Sequence, residues 1–471
     1  MKKPLSKSVA AVLSVLALAP TLACIPASAE QTDTFAYAMF AGSSTEGAIT
    51  IDADWLTLNG NIASNGTISG SKHMNLNGEK TENAGKDMLF VGSKLDAVYF
   101  NDAELAKDLA LADTNVSVNT DYDVAGSVAF NGNVCLNSSV KSDYDVTISG
   151  NTLNANNAVL FSEFGDIIID SDNVNFNGLI YAPLGNVEID ANNINLNNTI
   201  IIADTITLHA SNINANYNQS LAKTIGTSSE SKAAYITKYN TSVMEKDIQA
   251  SLDLISQYYK LTPVETGKYG KMNIMNMIQF DVFQYDIEGI GNLSIMKAEG
   301  MAQMTTYVLT PYDKDLPLVS LDFMYNEDQR ISYVEYYDLT ENKESAEYQS
   351  ILAKLGTLSE KYTGLADTQV SSAWYDDLRT VGLFKASDYR SDETTSQMLL
   401  DSIQLTLESA KSAHNLNEEE KAVKLALNQQ YADNLVDIGG VATNMFKMAM
   451  GPDVTKDFFN SVFFGTYRYQ K

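Results

Sequence analysis

Along the first half of the chain, apolar residues alternate with Asn, Asp or Thr, as in Val187 and Ile189 and again in Ile194 and Leu196. A period of two marks strands with one buried face. The pattern also returns at longer range. Asn157 to Gly165 (NAVLFSEFG) aligns with Asn177 to Gly185 (NGLIYAPLG) at an offset of 20. Ile49 to Ile68 aligns without gaps on Val187 to Ile206, and Asn173-Val174-Asn175, Asn193-Ile194-Asn195 and Asn212-Ile213-Asn214 recur after 20 and then 19 residues. A fixed period near 20 is the signature of a solenoid, in which each coil buries its apolar face only against its neighbours. Short strands joined by Asn and Gly turns predict a parallel β-helix over residues 30–218 with rungs of about 20 residues. Asn suits the corners because it tolerates left-handed backbone angles, and stacked Asn side chains can form amide ladders. Residues 71–130 interrupt the pattern. There Asp102 to Asp113 (DAELAKDLALAD) reads as a short helix, either an insertion or a cap.

The period changes from Phe280 onward. Asp281–Ile287, Asn292–Glu299, Met304–Leu309, Leu318–Tyr325 and Ile331–Tyr337 read as five strands of an antiparallel meander. Helical periodicity flanks them at Met244–Lys260, Ala346–Leu358, Thr395–Ala413, Glu418–Val436 and Val454–Phe464. The prediction is a multidomain chain. A β-solenoid is followed, after a small polar linker at residues 219–236, by an α/β/α sandwich with a central antiparallel sheet over residues 237–471.

Charge separates the halves further. Of 32 Lys+Arg and 59 Asp+Glu, residues 30–230 hold 7 Lys, no Arg and 25 acids, and residues 231–471 hold 22 bases and 34 acids, for net charges of −18 and −12. Such a balance excludes a general nucleic-acid binder or a protein docking on anionic lipid. An Arg-free solenoid is also poorly equipped to grip an acidic polysaccharide. Its acids Asp170, Asp172 and Asp190 are expected in turns, with no repeated calcium-ligand spacing. Two cysteines and three histidines exclude a zinc site of the Cys/His kind and a disulfide framework. Residues 1–29 read as a secretory signal: Lys2, Lys3 and Lys7 precede the apolar stretch Val9 to Ala19, and Ala27-Ser28-Ala29 offers a cleavage site. A lipoprotein cut before Cys24 is the alternative. The expected location is therefore secreted or at the cell surface, with cell-wall association and no transmembrane span, since no other run reaches ~18 apolar residues. Cys135, alone after cleavage, is expected to be a buried, inert thiol.

On NGLIYAPLGNVEID and IIIADTITLHASNIN, the first half resembles Asn-rich β-solenoid regions of exported proteins from anaerobic Gram-positive bacteria. The second half resembles ferredoxin-dependent bilin reductases and red chlorophyll catabolite reductase. Met301 to Asp322 carries the family's proline-bearing loop (Pro311), its Pro-Leu dipeptide (Pro317-Leu318) and an Asp four residues later, Asp322. Near the C-terminus Gln430-Tyr431, Phe446, Gly451, Phe459 and Val462-Phe463-Phe464 resemble the family's closing Tyr, Phe-Gly and Val-Leu-Phe positions. The resemblance implies a linear tetrapyrrole as substrate or ligand, no tightly bound cofactor, and Asp322 as proton donor. It puts Thr305 where bilin reductases often carry a His, and Glu288, across a gap, in place of a family carboxylate. Gly439 to Asn444 lacks the family's basic run. Ferredoxin is not expected as partner, because an exported domain of net −12 would neither meet nor attract an acidic intracellular protein; the electron donor is unidentified.

Alternation gives Asp322 a second, independent reading. Val319, Leu321, Phe323 and Tyr325 share an apolar face, whereas Leu318, Ser320, Asp322 and Met324 point the other way, either to solvent or to a pocket floor. Tyr336-Tyr337 and Tyr258-Tyr259 read as core or groove aromatics on which a small planar ligand could stack. The competing functional reading is a non-catalytic surface protein in which the solenoid displays the second domain.

Overall fold

The structure, a computed structural model, describes residues 34–70, 73–226, 229–440 and 443–470. The expected signal at 1–29, with Cys24, lies outside them. The chain divides at Tyr235/Ile236 into two compact units.

The first unit is a parallel β-solenoid. Its longest strands, Val146–Ser162, Ile167–Asp190 and Asn193–Tyr217, stack in parallel register with Val174 beside Ile194 and Ile180 beside Ile201. Stacking order departs from chain order. Strand Asn193–Tyr217 pairs on one side with Ile167–Asp190 and on the other with Ile49–Asn59, so the N-terminal coils continue beyond the C-terminal one. Val187, Ile206, Ile49 and Ile68 thereby form one inward column, which is why Ile49 to Ile68 repeats Val187 to Ile206. The predicted amide ladders are present. One runs Asn214 to Asn195 (3.4 Å), Asn195 to Asn175 (3.1 Å) and Asn175 to Asn154 (3.0 Å). A second, Asn197–Asn216–Asn59–Asn77, crosses the junction between the two sets of coils. Asn157 and Asn198 take the left-handed corners (φ 53° and 50°).

Four expectations about this unit change. Asp102 to Asp113 is not helical. It contains strands Glu104–Ala106 and Leu109–Val118, because Leu109 and Leu111 stack on Val128 and Phe130 of the next coil, and that pairing outweighs the local helix propensity of Ala, Leu and Glu. The helical segment lies earlier, at Gly92–Leu95 and Asp96–Phe100. Leu95 and Phe100 cover outward-facing residues of the continuous apolar runs, among them Val159, Leu179 and Ile200. The expected linker contains a second covering helix, Gln219–Ile225, capped by Asn218, which buries Leu221, Ala222 and Ile225. The acids between strands include Asp121, Asp145 and Asp166, each accepting a backbone N–H from the next coil (2.6, 2.9 and 2.6 Å), whereas Asp170, Asp172 and Asp190 lie exposed on strand Ile167–Asp190. Cys135 is half-buried, not buried, since Val134 and Leu136 take the inward positions; it remains a free thiol.

The second unit is an antiparallel sheet in the order Leu261–Val264, Ile278–Ile287, Gly291–Gly300, Gln303–Pro311, Leu318–Asn326, Gln329–Tyr337, Arg379–Asp388 and Ala366–Asp367, with Lys271–Ile274 also pairing on Ile278–Ile287. The five expected strands are its centre. One face meets helices Lys232–Tyr258 and Asp392–Ser412, to which Tyr325 Oη reaches Asp247 (3.4 Å) and Tyr336 Oη reaches the Ser402 carbonyl (3.1 Å). The other face carries Phe280, Met296, Val308, Leu318 and Tyr337 against Glu418–Asp437, Thr443–Met450 and Pro452–Phe463. Among the described residues no helix is long and apolar enough to cross a membrane.

Candidate functional site

The face that carries Asp322 does not look into open solvent. Between it and the second helical layer lies a cavity of about 190 Å³. Its floor is Leu318, Ser320, Asp322 and Met324, flanked by Met304, Thr306 and Val308 on one neighbouring strand and by Tyr333, Glu335 and Tyr337 on the other. Tyr431, Leu435, Phe446, Phe459, Phe463 and Phe464 form the aromatic roof, and Val370, Ser371, Gly440 and Thr443 also line it. Tyr431, Phe446, Phe459, Phe463 and Phe464, drawn from the C-terminal sequence block, thus meet Leu318 and Asp322 from the strand block around one space.

Strand register dictates the partners of Asp322. Thr306 stands directly across from it and donates to Oδ1 at 2.6 Å; Ser320, two residues back on the same face, donates to Oδ2 at 3.3 Å. No cation pairs with it among the described residues. Burial in the cavity, with a smaller push from the charge of Glu335, raises its pKa from 3.8 to about 6, against the two hydroxyls that favour the ionised form. The exposed part of its surface faces the cavity, so water there does not restore an ordinary acid. Around pH 6 a large share of such a carboxyl is protonated, and it can release that proton to a basic atom above it.

The other expected residues stand elsewhere. Thr305 is fully buried on the opposite face of the sheet, beside Tyr307 and away from the cavity; the residue that faces Asp322 is Thr306. Glu288 is exposed in the turn after strand Ile278–Ile287, with Lys260 Nζ 4.0 Å away. Tyr337 lines the cavity, whereas Tyr336 points through the other face. Gly439 to Asn444 contains no cation; among the described residues the one cation in the cavity lining is Arg379, whose Nε donates to Glu335 Oε1 at 2.7 Å. Glu335 could have been found from the sequence, because alternation in Ile331–Tyr337 sets it on the face of the strand that pairs with Asp322. Arg379 could not, since its strand follows a long helical excursion and carries Gly382 and Lys385, which weaken the apolar period. Among the described residues no cluster of His, Cys, Asp or Glu could hold a metal ion.

No family model matches the chain, and no curated protein matches it in sequence. Among solved structures, the chain is similar to phytochromobilin synthase from tomato in complex with biliverdin, at 15% identity over 48% of this chain and 83% of that one, with a TM-score of 0.40. It is also similar to an ice binding protein from an Antarctic biological consortium, at 15% identity over 40% of this chain and 88% of that one, with a TM-score of 0.25. At such scores neither likeness carries an assignment, and the site stands on its own geometry.

Proposed function

We infer that the second unit binds a planar, conjugated ligand of the linear tetrapyrrole class over the Asp322 face, and that Asp322 supplies it with a proton. The observation that carries this reading is a carboxyl, unpaired with any cation among the described residues and raised to about 6, on the floor of an aromatic-walled cavity. The residues around it are those that resemble the bilin-reductase pattern. If the ligand is also reduced, each electron comes from an external one-electron carrier and is matched by one proton passed from Asp322. The basic, apolar and small-residue stretches of residues 1–29 support export, with the solenoid holding the unit at the cell surface.

Volume constrains this reading. About 190 Å³ is below the roughly 300–1,000 Å³ of ordinary ligand clefts, so a tetrapyrrole enters only if Val370, Ser371, Gly440 and Thr443 move outward. The same smallness favours the second reading, a non-catalytic surface protein. The full chain titrated with biliverdin separates them. Trp374 packs edge-on against Tyr375 and at a tilt against Tyr431, both of which line the cavity, so a bound bilin quenches its fluorescence as the ligand's visible band shifts. No spectral shift and no quenching at tens of micromolar ligand discards the tetrapyrrole reading.

A further inference from the structure

Asp322 shares its cavity with a second acid. Glu335 stands on the adjacent strand, directly across the register from Ser320, whose hydroxyl reaches Asp322. The two carboxyls have unlike surroundings. Asp322 has hydroxyl partners. Glu335 accepts from Arg379 Nε, and Arg379 Nη1 lies 3.1 Å from Asp376 Oδ1, which steers the guanidinium from its other side. The side chains of Arg379 and Glu335 are only 14% and 11% exposed, so solvent and salt screen the pair weakly; the same burial raises the Glu335 carboxyl above its ordinary value, against the pull of Arg379.

Other groups facing Asp322 do not share this role. Its own strand brings Ser320, strand Gln303–Pro311 brings Thr306, and strand Gln329–Tyr337 brings Tyr333 and Glu335. The helical layer above contributes apolar side chains and the phenol of Tyr431, which burial keeps neutral. Glu335 and Arg379 are therefore the charged groups that share the cavity lining with Asp322. Two carboxyls in one dry space do not both ionise readily: the one with a cation takes the charge, and the other keeps its proton.

We propose that Glu335 is a positioning residue for Asp322: pinned to the cavity wall by Arg379, it carries the standing negative charge of the site and keeps Asp322 in its proton-holding form. The proposal rests on reading Asp322 as the proton-bearing acid of the cavity, and not on which ligand enters. With Asp322 protonated, the Glu335–Arg379 pair leaves these three groups with no net charge. That state suits the uncharged conjugated core of a ligand, and a core that takes the proton becomes cationic beside the new Asp322 carboxylate.

The test needs no ligand. In the full chain carrying ¹³C-labelled Asp and Glu carboxyls, NMR titration follows both acids, with D322N and E335Q assigning the two signals. The wild-type expectation is that Glu335 ionises at lower pH than Asp322. In E335Q the Asp322 midpoint falls toward its ordinary value by about half a pH unit or more, and in E335D it stays high. An unmoved Asp322 midpoint in folded E335Q overturns the proposal, as does Glu335 ionising above Asp322 in the wild type. If E335Q fails to fold, the order of the two wild-type midpoints decides, with the signal lost in D322N marking Asp322. Failure of biliverdin to bind leaves this result untouched, so the two readings fail separately.

Discussion

Replacing Asp322 by Asn is expected to stabilise the second unit at alkaline pH while removing the proposed proton donor. The magnitude follows from linkage. The folded-state pKa of Asp322 is about 6 against an ordinary 3.8, a shift of about two units. An acid whose pKa is raised by folding binds more protons in the native state than in the unfolded state between those values. Stability therefore falls as pH rises through that window, by about 1.4 kcal/mol per unit. The full cost above pH 6 is about 3 kcal/mol for a two-unit shift. Asn has the shape and the donor–acceptor pattern of the protonated acid: its oxygen accepts from Thr306 and its amide N–H₂ can donate to the Ser320 hydroxyl. The variant should thus match wild type within about 1 kcal/mol near pH 4 and be more stable by about 3 kcal/mol near pH 8. Urea unfolding followed by Trp374 fluorescence reads the second unit, because Trp374 belongs to it and hydrogen-bonds the Gly439 carbonyl at 2.7 Å. A difference between variant and wild type that does not change with pH would refute the burial of Asp322 as the cause.

Two further perturbations probe other parts of the molecule. Asp247, buried between helix Lys232–Tyr258 and the sheet, is raised to about 7, first by burial and then by the neighbouring Asp392. By the same sign, Asp247→Asn should leave stability near pH 4 almost unchanged and raise it by about 2–4 kcal/mol near pH 9; parallel thermal melts at both values check it, and a pH-independent effect counts against the shift. In the solenoid, Gly178 has φ +138°, and a Cβ there would lie 1.9 Å from the Ala158 carbonyl oxygen of the neighbouring coil, whereas Gly85 (φ +60°) has nothing within 4 Å. Gly178→Ala should cost at least about 3 kcal/mol and Gly85→Ala only about 1 kcal/mol, read as loss of β-type circular dichroism on heating. Equal melting temperatures for the two variants would contradict the close coil-to-coil approach at Gly178.

Much of the architecture was legible because it is periodic. The return of Asn-Val-Asn and Asn-Ile-Asn every 20 or so residues determined the solenoid, and the alternation around Asp322 determined which side chains share its face. Both are local consequences of strand geometry, and each residue needs only its sequence neighbours to express them. The failures have a common cause. Asp102 to Asp113 has the composition of a helix, and only stacking on Val128 and Phe130 makes it strand. The N-terminal coils follow the C-terminal one in space because Ile49 lands beside Ile206, a pairing across 157 residues that no local window contains. The outcome for the site is similar. Asp322 was identified from its own strand, but whether its face met solvent or a cavity depended on where the aromatic roof from residues 431–464 came to rest. Its working environment was decided by tertiary structure alone: Thr306 rather than Thr305 faces it, Glu335 and Arg379 charge the wall beside it, and no cation pairs with it among the described residues. A pKa depends on what is buried around a group and which charges approach it, and those neighbours are assembled from strands and helices far apart in the chain.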